Sequence, residues 1–421
     1  MKKNFWFYVC AMCLLFTIPM NLTGCTASVQ AADLMKGITP GAVTGMETDD
    51  SFRMQEMSFA LELLQASLKT DENENVLLSP LSVQLALAMT ANGAAGQTRQ
   101  EMEHFLGGDI PLELMNEYLY TYVNDLPNKE NSKLHIANSI WYRDEENRLQ
   151  VEQGFLQTNG DYYGAQIYKA PFDKQTVKEI NNWVSKQTDG MIDSLVDEIG
   201  DETVLYLINA LAFDAKWADT YLKSDVSDRI FYTAEGKEVS TPMMYSTEWR
   251  YLENENSTGF LKDYKDGSYT FAALLPKEGM TVYDYVRSLT PEELLTMLDN
   301  PKQGGGLAGL PKFSFDYSLS MNDTLKQLGM ETAFDGAKAD FSSMAHSTNG
   351  NICIGEVLHK THISVDEEGT KAAAATMVEI VEECALLSDW SVILDRPFVF
   401  LILDQATNIP VFMGIVTNPV A

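Results

Sequence analysis

The stretch Glu367-Glu368-Gly369-Thr370-Lys371-Ala372-Ala373-Ala374-Ala375-Thr376, continued by Met377-Val378-Glu379-Ile380-Val381-Glu382-Glu383-Cys384, is where the fold of this chain is decided. Four alanines between threonines suggest a helix, but Gly369 on one side and β-branched residues on the other disfavour a stable one. Read as a strand, Thr370, Ala372, Ala374, Thr376, Val378 and Ile380 share one face. Lys371, Ala373, Ala375, Met377, Glu379 and Val381 share the other, so every charge before Glu382 falls on that second face. A segment that must slide between existing strands needs small, uncharged residues on its buried face, because an unpaired charge there costs several kcal/mol. An ordinary solvated loop explains the small residues but not the parity of the charges.

Around this segment the chain reads as mixed. Phe52 to Leu68 carries apolar residues at helical spacing, Ser79-Pro80 opens a second helix that Gly93 ends, and Val177 to Leu195 is helical again through Ile180, Trp183, Val184 and Ile192. Val204 to Phe213 is a buried-strand run. Val392-Ile393-Leu394, Phe398 to Leu403 and Val411 to Val416 read as three further strands, with turn residues from Asp404 to Asn408. Helices mostly precede strands, which predicts an α+β fold.

The 421 residues would by length alone divide into about two or three domains. With 45% hydrophobic and 21% charged residues, the composition excludes disordered and disulfide-scaffold classes. The net charge of −30 repels phosphate backbones and argues against nucleic acid as a partner.

Residues 1–24 read as a signal segment: Lys2 and Lys3 precede an apolar run from Phe5 to Met20. Leu22-Thr23-Gly24-Cys25 resembles the bacterial lipobox, which implies cleavage before Cys25 and a lipid on that cysteine, with plain secretion or an uncleaved anchor as alternatives. Losing two lysines and no acids takes the mature charge to −32. Residues 25–50 then form the lipidated cysteine and a flexible tether rich in Ala, Gly, Thr and Ser, before a folded body over 51–421. Only Cys353 and Cys384 remain in that body, too few for a disulfide framework.

Enzyme motifs are missing: no Gly-x-Ser-x-Gly elbow, His-Glu-x-x-His helix, phosphate loop or Cys-x-x-Cys pair. His359 and His362, followed by Asp366 and Glu367, invite a test as metal ligands. On a strand over Val357 to Val365, residues three apart face opposite sides, so the imidazoles do not converge. One core-facing and one exposed histidine is the expectation, with no metal and no cofactor.

Glu367 to Thr376 resembles the proximal hinge of the reactive-centre loop of serpins. Asp395-Arg396-Pro397-Phe398-Val399-Phe400, Phe412-Met413-Gly414 and Asn418-Pro419 resemble that family's C-terminal signature. Similar matches run collinearly through Ser79-Pro80-x-Ser82, Gly93-Ala94-x-Gly96-x-Thr98, Ile180-Asn181-x-Trp183-Val184, Asn209-Ala210-x-x-Phe213-x-x-x-Trp217 and Leu310-Pro311-Lys312-Phe313. The resemblance implies a serpin fold: one α+β domain with three β-sheets, eight or nine helices and an exposed reactive-centre loop at about 367–394. It also implies a suicide-substrate mechanism, in which a protease cleaves the loop, forms an acyl-enzyme and is trapped as the loop inserts into the large sheet.

Carried over by residue, Glu367 is expected to pair with Lys312 beside Trp217 at the breach where the loop enters the sheet. Ser79, Ser82, Asn209 and His359 match the polar shutter that lets the central strands separate. The hinge comprises Glu367, Glu368, Gly369, Thr370, Lys371, Ala372, Ala373, Ala374, Ala375 and Thr376. The family's spacing from Gly369 places the cleaved bond at Glu383–Cys384, and a longer distal segment leaves Cys384–Ala385 open. Acidic residues at Glu379, Glu382 and Glu383 suit cationic, elastase-like or Glu-accepting serine proteases, and no basic helix suggests a sulfated polysaccharide partner. The expected molecule is an exported monomer, lipid-anchored outside a bacterial membrane or secreted, that forms a covalent 1:1 protease complex. A non-inhibitory carrier and a cross-class inhibitor of papain-like cysteine proteases are the alternatives.

Overall fold

A computed structural model describes residues 31–68, 74–143, 149–200, 203–348, 350–370 and 389–420, with Asn209 described by its backbone alone. The signal segment, Cys25, hinge residues Lys371 to Thr376 and the bond candidates Glu383, Cys384 and Ala385 lie outside the described residues.

Nine α-helices occur among the described residues. They are α1 (Asp50–Ser67), α2 (Pro80–Ala91), α3 (Gly96–Gly107), α4 (Leu112–Asp125), α5 (Gln153–Tyr163), α6 (Lys174–Gln187), α7 (Val282–Ser288), α8 (Pro291–Asp299) and α9 (Asn322–Gln327). The Asp49 carboxylate caps α1 by accepting the Phe52 N–H, and Ser79 caps α2 with Pro80 in its first turn. Every residue of α2 is buried, so it lies in the core.

The helix expected over Val177 to Leu195 stops at Gln187. Asp189 (φ 52°) and Gly190 (φ 75°) take left-handed conformations that end it. Asn181 Oδ1 accepts the N–H groups of Leu195 and Val196 at 2.8 and 2.9 Å, so Ile192 and Leu195 remain buried without a helix to carry them.

The strands form three sheets. Across the first lie β1 (Ala32–Asp33), β5 (Gln166–Ala170), β3 (Ser132–Arg143), β6 (Leu205–Lys216), β15 (Gly369–Thr370), β14 (Glu356–Val365) and β12 (Phe313–Ser320). The second runs through β16 (Trp390–Ile393), β11 (Lys302–Pro311), β8 (Glu238–Glu253), β9 (Ser257–Asp263), β10 (Tyr269–Pro276), β17 (Phe398–Asp404), β18 (Pro410–Val416) and β2 (Val76–Leu78), with β7 (Val226–Tyr232) also on β8. The third pairs β4 (Leu149–Val151) with β13 (Ala345–Ser347). One face of the first sheet is covered by α6, where Ile180, Trp183 and Val184 pack on Tyr206, Ile208 and Ala210. The opposite face joins the main core with α1, α2 and the second sheet.

The expected free tether is corrected from residue 31 onward. Ala32 and Asp33 pair with Lys169 and Tyr168 as an edge strand, and Leu34, Met35 and Ile38 pack against the core. Gly41 N–H donates to Asp161, and Asp49 accepts the Tyr118 hydroxyl at 2.7 Å. Composition suggested flexibility because these apolar residues are sparse and without period. Their partners are supplied by helices and strands distant in sequence.

Candidate functional site: a doorway between two central strands

The two central strands of the first sheet touch at one end and part at the other. Tyr206–Ala210 of β6 pair in parallel with Glu356–Lys360 of β14. At the far end the short β15 fills the space, Gly369 facing Lys216 and Thr370 facing both Ala215 and Val365. Between them, residues 211–214 and 361–364 border a cavity of about 340 Å³, lined by Leu211, Ala212, Phe213, His362 and Ser364 and roofed by Asp189 to Ile192.

The start of β15 is clasped from several sides. Lys312 Nζ donates to Glu367 Oε2 at 2.7 Å; burial pushes the Glu367 carboxyl up, but this lysine outweighs it and holds the group below its ordinary range. Trp217 N–H donates to the Glu368 carbonyl and its indole Nε1 to that of Asp366, both at 2.8 Å, while Tyr221 N–H donates to Glu367 O at 2.9 Å. The expected breach trio of Lys312, Trp217 and Glu367 is thus assembled. Gly369 is required here, since a Cβ would lie 2.0 Å from the Ala215 carbonyl oxygen. Thr370 is 2% exposed, with its hydroxyl 2.6 Å from that of Tyr264.

Of the residues expected at the shutter, Ser79, Ser82 and His359 are brought together in the core. Ser79 N–H donates to His359 Nε2 at 3.1 Å, which requires the acceptor nitrogen to be unprotonated; burial lowers the imidazole pKa to about 4, so it is neutral at pH 7. Ser79 Oγ accepts the Ser82 N–H at 3.4 Å, and both serines are fully buried. Asn209 stands in register between Asn138 and His359, with its side chain outside the described atoms. His362 faces the other way, half-exposed and 2.9 Å from Asp316, so the two imidazoles sit on opposite faces as the strand period requires.

Several partners went unread in the sequence. Thr361, whose hydroxyl donates to Leu77 O at 2.9 Å, shares the parity of His359 and was within reach of the period-two argument. Nothing local marks Tyr221 or Tyr264, because each acts on a backbone or hydroxyl atom remote in the chain.

Comparison with known proteins places this architecture. The family model described as "Serpin (serine protease inhibitor)" matches residues 54–419. An uncharacterized serpin-like protein of Thermococcus kodakarensis is 32% identical over 82% of this chain and 81% of its own. Leukocyte elastase inhibitor A of Mus musculus is 29% identical over 86% of this chain and 97% of its own. The native-state crystal structure of a thermophilic serpin, tengpin, superposes with a TM-score of 0.89 at 46% identity, covering 93% of this chain and all of that one. Its latent-state structure reaches 0.79, covering 89% of this chain. The chain belongs to the serpin family, many of whose members inhibit serine proteases, while thyroxine-binding globulin shares the fold.

Proposed function

We propose that this protein is an inhibitory serpin that traps its target as an acyl-enzyme by inserting the cleaved reactive loop between β6 and β14. The carrying observation is the register of β15. Continued along β6, the pairing of Thr370 with Ala215 sets Thr376 opposite Asn209; continued along β14, the pairing with Val365 sets Thr376 opposite His359. Asn209 and His359 already face each other, so both ladders assign the same position to the incoming strand. Residues 371–374 would fill the open gap, and 375–379 would displace the parallel pairing of 206–210 with 356–360. Position 380 meets Leu205, where β6 begins, so a bond after residue 380 leaves the whole ladder available for insertion.

The faces support the same reading. Thr370, Ala215 and Val365 are buried together, and Ile363, Thr361, His359 and Val357 continue that face of β14. Ala372, Ala374, Thr376, Val378 and Ile380 would follow Thr370 onto it, and Lys371 and Glu379 would not. A non-inhibitory carrier would not need small, uncharged residues at these positions.

In the same reading, the target is an elastase-like or Glu-accepting serine protease, the cleaved bond is Glu383–Cys384 or Cys384–Ala385, and the protein is exported and lipidated at Cys25. Papain-like cysteine proteases are the further class to be tried. The test is to mix the mature protein with a panel of serine and cysteine proteases, look for a denaturant-resistant 1:1 complex, and weigh the released C-terminal peptide. A ladder of cleaved loop without any covalent complex overturns the reading. Glu383→Gln should abolish trapping if Glu383 fills the primary pocket, and only blunt its salt dependence if Cys384 does.

A further inference from the structure

Beneath the exposed Lys312–Glu367 pair lies a second, buried one. The Lys262 side chain, on β9, is 2% exposed and its Nζ donates to Glu248 Oε1 of β8 at 2.8 Å; the Glu248 side chain is 12% exposed. The same carboxylate oxygen accepts the Ser246 hydroxyl at 2.7 Å. The Lys262 ammonium also stands 4.5 Å from the centre of the Tyr221 ring and 5.5 Å from that of Trp217. A desolvated ammonium over aromatic faces is held more strongly than an exposed one.

Those two rings belong to the residues that grip the base of the loop. Trp217 follows directly on β6, bonds Glu368 through its N–H, and reaches across to Asp366 at the end of β14. Tyr221 holds Glu367. Trp217 is also stacked on Tyr264, with ring centres 4.5 Å apart, and Tyr264 touches Thr370. The post of the doorway formed by β6 is therefore tied to the second sheet by this buried cation as well as by the Trp217–Tyr264 bridge and stack, and the clasp on residues 366–370 hangs from that post. Lys312, with its side chain about one-third exposed, acts on the loop itself through Glu367.

We propose that Lys262 is a positioning residue for loop insertion: its ammonium, paired with Glu248, pins Trp217 and Tyr221 and thereby sets the rate at which the sheet admits the loop. This rests on the insertion mechanism proposed above. Parting β6 from β14 moves Trp217 relative to β9, so the cation–aromatic contact resists the motion. A neutral side chain of similar length fills the space without that resistance.

The experiment follows spontaneous conversion of the uncleaved full chain, without protease, as the fraction that resists denaturant after incubation below the melting temperature. Lys262→Met should convert about tenfold faster, the loss of one such contact, and Lys262→Arg should return to within about threefold of the parent. Glu248→Gln, which keeps the lysine, should accelerate conversion less and serves if Lys262→Met does not fold. The nicked forms provide the control, since a merely structural loss lowers intact and nicked stability equally. Conversion of both Lys262→Met and Glu248→Gln at the parental rate, or acceleration matched by an equal loss in the nicked protein, overturns the assignment. A parent whose nicked form melts no higher than its intact form, and which never converts, overturns the insertion mechanism instead.

Discussion

The two large sheets of this molecule are built on opposite rules. In the nine-stranded sheet, β10, β17 and β18 are buried at every position and paired along their length, save for one bulge opposite Ile402 and Leu403. Phe271 of β10 stacks on Phe400 of β17 at 5.8 Å, and Phe400 also meets Phe313 of β12, in the other sheet, at 5.6 Å. In the seven-stranded sheet, the central strands share five pairings, then part around a cavity, and the residues at the junction are Ser, Asn, His and Thr. A sheet that must hold is sealed with apolar contacts whose loss leaves a void. A sheet that must open is joined by a few hydrogen bonds, each worth about 1 kcal/mol net, that a new strand can replace.

The sharpest way to break this contrast is to nick the loop within Ile380 to Leu387. Filling the doorway adds a central strand with hydrogen bonds on both sides, and a net gain of about 10 kcal/mol at about 1 kcal/mol per bond is expected. At about 2 °C per kcal/mol for a large domain, the unfolding temperature should rise by about 20 °C. Calorimetry of intact and nicked protein checks this, and coincident transitions would mean that the seven-stranded sheet is as closed as the other.

Phe400→Ala probes the sealed sheet. The ring is fully buried, so its removal should lower stability by about 3–5 kcal/mol, and by the same amount in the nicked protein, because β17 is unchanged by insertion. Denaturant titration of both forms reads the difference directly. An effect confined to the intact form would couple the two sheets.

At the doorway, Ala372→Arg should leave the folded body in place yet convert inhibitor into substrate. By the register of β15, Ala372 is the first residue beyond it to follow Thr370 onto the core face on insertion, and an unpaired guanidinium there costs several kcal/mol, about 3 of which reduce trapping about 100-fold. The ratio of covalent complex to cleaved inhibitor is the measurement. Unchanged trapping would place the charged face of the loop on the wrong side.

The same position shows what was legible in the chain and what was not. The face assignment needed only the parity of alanines and charges, because a strand's period is fixed by backbone geometry. The pair Lys312–Glu367, the three-sheet α+β architecture and the opposed histidines were readable by resemblance or by period. The Asp189–Gly190 break after α6 and the docked segment 31–49 were not, since both depend on hydrogen bonds to partners elsewhere in the fold. Nor was Lys262: a lysine in Phe260-Leu261-Lys262-Asp263 reads as solvated until the fold supplies Glu248 and two rings to bury it.

The polar junction should also respond to acid, through His359. His359 has its folded pKa lowered to about 4 against an unfolded value near 6.5. Its contribution is therefore complete above about pH 6.5 and is lost as pH falls toward 4, by about 1.4 kcal/mol per unit. Across that window, stability of the parent should fall more steeply than that of His359→Gln, which keeps an acceptor for the Ser79 N–H. Equal slopes would show that the imidazole does not govern the junction.

The finest test lies at the two ends of the inserted strand, where the register sets charge against charge. Continuing from Thr370, Lys371 comes opposite Asp214 and Ser364, and Glu379 comes opposite Tyr206 and Glu356. The first meeting is favourable and the second is a like-charge pair; cross-strand pairs of this kind are worth about 0.2–1 kcal/mol. Glu379→Lys should therefore raise the unfolding temperature of the nicked protein slightly, and Lys371→Glu should lower it, while the intact protein changes little if insertion follows cleavage. The sign distinguishes registers as well as magnitudes would. A slip by one residue moves both charges to the core face, where either variant would have a large effect, and a slip by two brings Glu379 opposite Ile208 and Leu358, where reversing its charge would no longer relieve Glu356.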